Sequence, residues 1–379
     1  MQALLDFDNL FLYAQNPVSC LEVQSGDLYR DQICIGPATD LGKTLELPRT
    51  NNFFPAWIGF IGYEYARYFG LCTHEPDHNF PDAAFFLFEQ PSDLPLSALS
   101  PLQPEKQKIT LSSQVRETEQ YIQSVLAIQE EIRAGEVYQV NLSRRLKAAL
   151  PFRFPREKLN PISIYHQLKA LHPSPFMGVL EGPDWAIVSG SPERLFKLHH
   201  GQIWTRPIAG TRPIYPGAEQ ELLSNLKERA EHAMLVDLMR NDLAKICETG
   251  SVHVPEPFAI ERYKHVLHLV SEVRGKTKAD LSAVFRAIFP GGTITGAPKE
   301  NVMRSIVRHE PIPRGPYTGS FGYVSSGHGA DFNILIRSLY AGREHTYFSA
   351  GAGIVIGSDP QAEFEETEHK IKQFRNIHF

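Results

Sequence analysis

The chain has 379 residues, 42% of them hydrophobic, and a formal net charge of −5. That is enough apolar side chain for a large core, and the scattered Lys and Arg leave no basic face of the size nucleic acid requires. No run approaches the roughly 18 apolar residues of a membrane span. The opening MQALLDFDNL lacks the basic start and apolar stretch of a signal peptide. Cys20, Cys34, Cys72 and Cys247 show neither CxxC spacing nor paired histidines, so reduced thiols in a cytoplasmic protein are expected.

In chain order, AWIGFIGYEYARYF and DAAFFLFEQ predict strands or a strand-helix pair. EQPSDLPLSALSPLQPEKQ, residues 89–107, is rich in Pro, Ser and charge and predicts a surface connection between an N-terminal part and the rest. SQVRETEQYIQSVLAIQEEIRAGE places Tyr121, Val125, Ile128 and Ile132 at helical spacing, with Gly135 as a stop. VYQVNLSRRL alternates, with Tyr138, Val140 and Leu142 on one face and Gln139, Asn141 and Ser143 on the other. A strand with a wholly polar second face either meets water or lines a site.

SGSPERLF, residues 189–196, ends a strand in a turn that carries Glu193. EQELLSNLKERAEHAMLVDLMRNDLAKI predicts one long helix or two joined helices, closed near Gly250. PFAIERYKHVLHLVSEVRG predicts strand and ADLSAVFRAIF a short helix. FPGGTITGAPKENVMRSI is a Gly-rich turn entering a helix, with Pro298 near the first helical position. Strands are expected at about 317–326, 331–341 and 346–356, and a last helix at about 360–375. Adjacent strands joined by short turns predict antiparallel sheets with helices packed outside, an α+β chain.

In the last helix Glu363, Glu366, Thr367 and Lys370 fall at i, i+3, i+4 and i+7 and share a face. In the long helix Glu228 and Glu231 are i and i+3. Each pair alone reads as a solvated face. Together, if the helices meet, they suit a hard cation such as Mg²⁺ that keeps waters for a ligand's carboxylates. The Gly-rich turn either caps its helix or offers main-chain N–H groups to an anion, and it is neither a Walker A loop nor GxGxxG. His268, among apolar neighbours, reads first as a satisfied core residue. Gly351 and Gly353 let a backbone or a ligand come close. Arg337, mid-strand between apolar residues, needs an anionic partner and points to a bound carboxylate. No Ser-His-Asp set, Cys-His dyad or nucleotide loop is visible. These features suggest a small polyanionic ligand and a divalent metal, and name no reaction.

From about 115 to 375 the motifs GEVYQVNLSRR, SPERL, RPIAGTRP, EHAMLVDLMRNDL, VLHLVSEV, FPGGTITGAPK, PYTGSFGY, ILIRSL, SAGAGIV and EFEETEHK follow in order. They resemble the chorismate-utilising enzymes. The resemblance implies large antiparallel β-sheets stacked between helices, an αββα sandwich. It implies one chorismate-binding unit over 1–379, with a catalytic core at 115–375 and a shorter, divergent N-terminal part at 1–110. It puts Mg²⁺ on Glu231 and Glu366, with Glu228 and Glu363 supporting. It puts chorismate carboxylates near the metal, Tyr317, Arg337, Gly353 and Lys370. Glu193 becomes the general acid for the departing 4-hydroxyl. Gly210, Thr211, His268 and Thr293 would line the ring, His268 and Thr211 being counted with Glu193 as catalytic.

Two substrate-site positions separate the branches of this family. The water-using members have a Lys base where this chain has Gln139, and a neutral amide does not take a proton from water. Many aminodeoxychorismate synthases have a Lys that attacks C2 where Ala209 stands, whereas anthranilate synthases have Ala. YQVNLS, SPERL and FPGGTITGAPK nevertheless look like the aminodeoxychorismate branch, and no clear LLES-like stretch of a tryptophan pocket is present. The expected reaction is Mg²⁺-dependent amination of chorismate to 4-amino-4-deoxychorismate. Ammonia would come from a separate glutamine amidotransferase subunit. Anthranilate formation is the alternative, and a non-catalytic chorismate-binding subunit is a third reading.

Overall fold

In the computed structural model the described residues are 1–8, 10–94, 111–112, 115–148, 160–263, 266–372, 374 and 377. Two antiparallel sheets form the body. One runs, strand by strand, through Gly296–Ala297, Gln139–Ala148, Thr346–Ile354, Leu339–Ala341, Ala186–Ser191, Phe176–Glu181, Gln2–Phe7 and Leu10–Gln15. The other runs from Ile208–Pro213 through Val266–Lys276, Gln202–Arg206, Arg194–His199, Gly329–Asn333, Ser320–Ser325, Ala56–Ile61 and Ala83–Phe88 to Ser19–Gln24, Asp27–Arg30 and Ile33–Pro37. Strands of the first 94 residues therefore hydrogen-bond into both sheets, as in Leu4 opposite Val179 and Ile58 opposite Tyr323.

Strand Ala56–Ile61 shows why the layers stack. It is buried along its whole length. Ile58 and Phe60 point into the core between the sheets, with Phe86, Trp185, Phe321 and Tyr347. Trp57 and Ile61 point the other way, into a core shared with Leu243, Val284, Phe285 and Ile288 of two outer helices. A continuous apolar run is what a strand covered on both faces needs. Helix Pro161–Leu171 covers the outer face of the first sheet through Ile162, Ile164, Tyr165 and Leu168. Helices Val115–Arg133, Lys299–His309 and Pro360–Lys372 close on strands Gln139–Ala148 and Thr346–Ile354 through Tyr121, Val125, Ile128, Val302, Ile306 and Phe364. Helices outside two stacked sheets are the αββα arrangement expected. No described helix is long and apolar enough to cross a membrane.

Several local expectations are decided between alternatives or corrected. The long helical pattern is two helices, Ala218–Ser224 and Leu226–Ala244, because Asn225 caps the second by accepting from Glu228 N at 3.1 Å. PFAIERYKHVLHLVSEVRG is a hairpin of His253–Arg262 and Val266–Lys276. Tyr138 does not share the apolar face of Val140 and Leu142. It precedes the strand and is exposed, its N–H held by the Ala297 carbonyl. Arg337 is not mid-strand. It lies between Gly329–Asn333 and Leu339–Ala341, with φ at 49°, where no ladder can run. Most of the connection at 89–107 lies outside the described residues.

Arg314 fastens the layers behind the future site. Its guanidinium donates to the carbonyls of Asn141 at 2.7 Å and Ile294 at 3.0 Å, and to Thr318 Oγ1 at 3.2 Å. It pairs with both oxygens of Glu310, at 2.6 and 2.9 Å. The Arg314 and Gly315 amides donate in turn to Glu64. Arg314 and Glu310 are only 3% and 4% exposed, so neither charge has water to fall back on. Arg314→Leu should therefore cost about 3–5 kcal/mol, read as a shift in denaturant midpoint. A loss within the roughly 0–1 kcal/mol of an exposed pair would show that this pair does not hold the layers.

Candidate active site

A cavity of 520 Å³ opens where the sheet edges, the acidic helix and the C-terminal helix converge. Of the sequence-predicted residues, Glu193, Ala209, Gly210, Glu228, Glu231, His268, Thr293, Tyr317, Arg337, Glu366 and Lys370 all line it. They come from eight separate stretches of chain, so the fold brings them together. Gln139, Gly353 and Glu363 are not lining residues. Thr211 pairs with His268 in the ladder, and its side chain lies outside the described residues.

Glu193 sits in the turn between Ala186–Ser191 and Arg194–His199. The turn is pinned, since Ser191 Oγ donates to the Ile334 carbonyl at 2.6 Å and the Glu193 carbonyl accepts from Ile334 N. Thr293 Oγ1 donates to Glu193 Oε1 at 2.7 Å. Burial pushes the carboxyl up to about 7, and Thr293, Arg337 and Lys370 pull against that rise. Burial likewise pushes His268 down to about 4, helped by the Arg337 charge and opposed by the Gly210 main chain. His268 is thus neutral near pH 7 and leaves Glu193 as the residue poised to deliver a proton. Desolvation also lowers Arg337, with nearby Glu193 opposing it.

The loop PIAGT needs its glycine twice over. Gly210 has φ at 66°, at a bulge in strand Ile208–Pro213, and a Cβ there would lie 2.5 Å from Glu228 Oε2. Glu228 Oε1 meets Arg212 Nη2 at 2.5 Å, while Oε2 is buried with no hydrogen-bond partner. Glu366 Oε1 meets Lys370 Nζ at 2.6 Å, and Lys370 also donates to the Gly351 carbonyl at 2.8 Å.

The last helix splits its expected face. Glu366 and Lys370 reach the cavity. Thr367 is buried the other way, accepting from Arg144 Nε at 2.8 Å. Glu363, nearly a turn earlier, stands beside Tyr121 instead. Among the described residues no group of three or more His, Cys, Asp or Glu is close enough to hold a metal ion as the side chains stand. The donor chemistry still suits one. Glu228, Glu231 and Glu366 share the cavity wall, and the orphaned Glu228 oxygen lacks a positive partner.

A Cβ on Gly292 would strike Leu238 at 2.3 Å, and one on Gly296 the Gln139 carbonyl at 1.9 Å, so both exist for packing. Gly353 and Gly351 make room for amide side chains, with virtual Cβ atoms 2.6 Å from Gln139 Nε2 and 2.4 Å from Asn141 Oδ1. Sequence reasoning put Asn141 on the polar strand face and stopped there. The structure sets it in the cavity wall, with Ser349 and Gly351. A second cavity of 410 Å³ shares Tyr317 and Ser349, but its Arg144, Arg145 and Arg314 are paired with Glu368, Asp77 and Glu310.

Carboxylates, two cationic side chains and one buried acid, Glu193, share the lining, a composition that suits a small anionic ligand. Aminodeoxychorismate synthase component 1 of Bacillus subtilis is 39% identical over 377 residues, covering 86% of this chain and 78% of that one. Anthranilate synthase component 1 of Methanothermobacter marburgensis is 35% identical, covering 93% and 81%. That of Saccharolobus solfataricus is 42% identical over 256 residues, covering 65% and 59%. The solved anthranilate synthase component I of Streptococcus pneumoniae matches with a TM-score of 0.83 at 28% identity, covering 99% of this chain and 92% of that one. Residues 13–376 match the family described as chorismate binding enzyme, and the chain belongs to that family.

Proposed function

We propose that the chain converts chorismate and ammonia to 4-amino-4-deoxychorismate and water, as component 1 of a two-subunit synthase. The observation that carries the chemistry is Glu193, a buried carboxyl held up to about 7 and aimed into the cavity. With Oε1 accepting from Thr293, the acid proton belongs on Oε2. Glu193 gives that proton to the 4-hydroxyl, which leaves as water. Ammonia supplies the new C–N bond and gives up one proton. Arg337 and Lys370 neutralise the substrate's carboxylates, and neutral His268 stays out of the proton transfer.

Glu228, Glu231 and Glu366 would hold Mg²⁺, with Glu363 further from the cavity. The ion supplies positive charge for the substrate's carboxylates when bound. Lys370 would then trade its pairing with Glu366 for the substrate. The likeness over 86% of the chain to an aminodeoxychorismate synthase supports amination at C4. Ala209 favours a second reading, addition at C2 to give anthranilate, because no lysine stands in this loop to attack that carbon. The component 1 names of the relatives support a partner subunit, and in this reading that partner is a glutaminase that supplies the ammonia. Incubation with chorismate, Mg²⁺ and ammonium, with chromatography of the products, decides between the carbons.

Glu193→Gln should lower kcat by about 10²–10⁴-fold while leaving chorismate binding nearly unchanged. At fixed free ammonia, kcat/KM of the parent enzyme should fall as pH rises through about 7, because the ionised carboxylate has no proton to give. An unchanged kcat, or an alkaline limb that survives in the Gln variant, rules out the acid role.

Glu231→Gln and Glu366→Gln should each weaken Mg²⁺ binding in calorimetric titration and nearly abolish turnover. Wild-type Mg²⁺ affinity in either variant removes that residue from the metal site.

The parent enzyme should stay unmodified during turnover when examined by mass spectrometry. Ala209→Lys should instead trap a chorismate-derived adduct, since a half-buried amine in the cavity that Arg337 also lines is held partly neutral and nucleophilic. An adduct on the parent chain would mean that another residue is the nucleophile.

A further inference from the structure

Asn141 stands on strand Gln139–Ala148, in the wall of the catalytic cavity. Its main chain is fully committed. The N–H donates to the Thr295 carbonyl at 2.8 Å, and the carbonyl accepts Arg314 Nη2 at 2.7 Å. Its side-chain Oδ1 is buried and has no hydrogen-bond partner. A buried acceptor without a donor is costly, and one in a cavity wall is placed to take a donor from a ligand. Gly351 makes room for it, since a Cβ there would lie 2.4 Å from Oδ1 and 3.1 Å from the Tyr317 hydroxyl. Any side chain at 351 would displace the amide.

We propose that Asn141 Oδ1 is the acceptor of a nucleophile subsite, taking one N–H of the ammonia that adds to the ring. This rests on the reading that ammonia and chorismate react in this cavity. No described protein group supplies the donor, and a reactant in the cavity can. Chorismate's two carboxylates bring none, which leaves the ring hydroxyl and ammonia. Ammonia fits better. It has three N–H groups and one lone pair, and only the lone pair is needed for attack. A neutral amide holds an N–H without exchanging a proton, so the lone pair stays free, whereas a carboxylate in the same place would retain ammonium. The hydroxyl is instead served by Glu193, whose proton it must accept.

The test is initial-rate kinetics of Asn141→Leu, with ammonium varied at saturating chorismate and chorismate varied at saturating ammonium. The KM for ammonia should rise about tenfold, the loss of roughly one hydrogen bond. The KM for chorismate and the melting temperature should hold, because Oδ1 has no partner within the protein. Asn141→Ala adds no bulk and carries the same expectation if the Leu variant misfolds. A rise in the chorismate KM instead assigns Oδ1 to the ring hydroxyl and overturns the subsite, as does an unmoved KM for ammonia. The products of the parent enzyme separate this idea from the reading beneath it. Anthranilate in place of aminodeoxychorismate sinks the C4 reading alone and keeps the subsite if the KM values split. Isochorismate as sole product overturns both.

Discussion

Everything around the cavity hangs from one buried cation. Arg314 has five N–H groups and spends them on the main chain of the strand that carries Asn141, on the turn that carries Thr293 and on the loop that carries Tyr317, with Glu310 as its counter-charge. Glu310 also accepts the Ser143 amide at 2.7 Å, so strand and helix end are locked by the same pair. A guanidinium suits this task because its donors lie in one rigid plane and stay charged when buried. Lysine, with three donors on a flexible stem, would satisfy at most part of the set.

With the frame rigid, the cavity's character comes from the charges that line it. Glu228, Glu231 and Glu366 bring negative charge, and Arg337 and Lys370 bring positive charge, with Lys370 paired to Glu366. Glu193 lies near the cations yet titrates high, because loss of water outweighs their attraction. Had Thr293 been absent, its carboxyl would titrate higher still. Two residues with positive φ, Arg337 at 49° and Thr318 at 59°, stand at the cavity or next to its lining residue Tyr317.

Much of this was legible in the sequence, for definite reasons. Helical spacing located Val115–Arg133 and Pro360–Lys372, and the order of motifs located Glu193, Glu231 and Lys370. Period-two alternation put Asn141 on the polar side of its strand. Other features were hidden. The strands before residue 38 are short and unevenly exposed, as in Ile33–Pro37, so they leave weak periodicity. A strand such as Ala56–Ile61, covered on both faces, loses alternation altogether. The break at Arg337 is invisible in ILIRSL, because apolar residues flank a left-handed turn as readily as they fill a strand. Glu363 and Glu366 share a helix face, but only the fold shows that the cavity ends between them. The role of Arg314 was hidden too, since only Glu310 and Thr318 are near it in sequence, while the Asn141 and Ile294 carbonyls that it joins lie in other segments.

The way strands of the first 94 residues enter both sheets also sets how the chain must be made. Leu4 meets Val179 and Ile58 meets Tyr323, so neither sheet can close until segments far apart in the sequence have met. Such non-local topology slows folding, because the entropy of closing large loops is spent before the contacts that reward it exist. A chain emerging from the ribosome would hold the apolar AWIGFI and AAFFLF strands exposed until the last third of the protein is released. Production of this protein is therefore expected to depend on slow synthesis or on chaperones that shield those two strands.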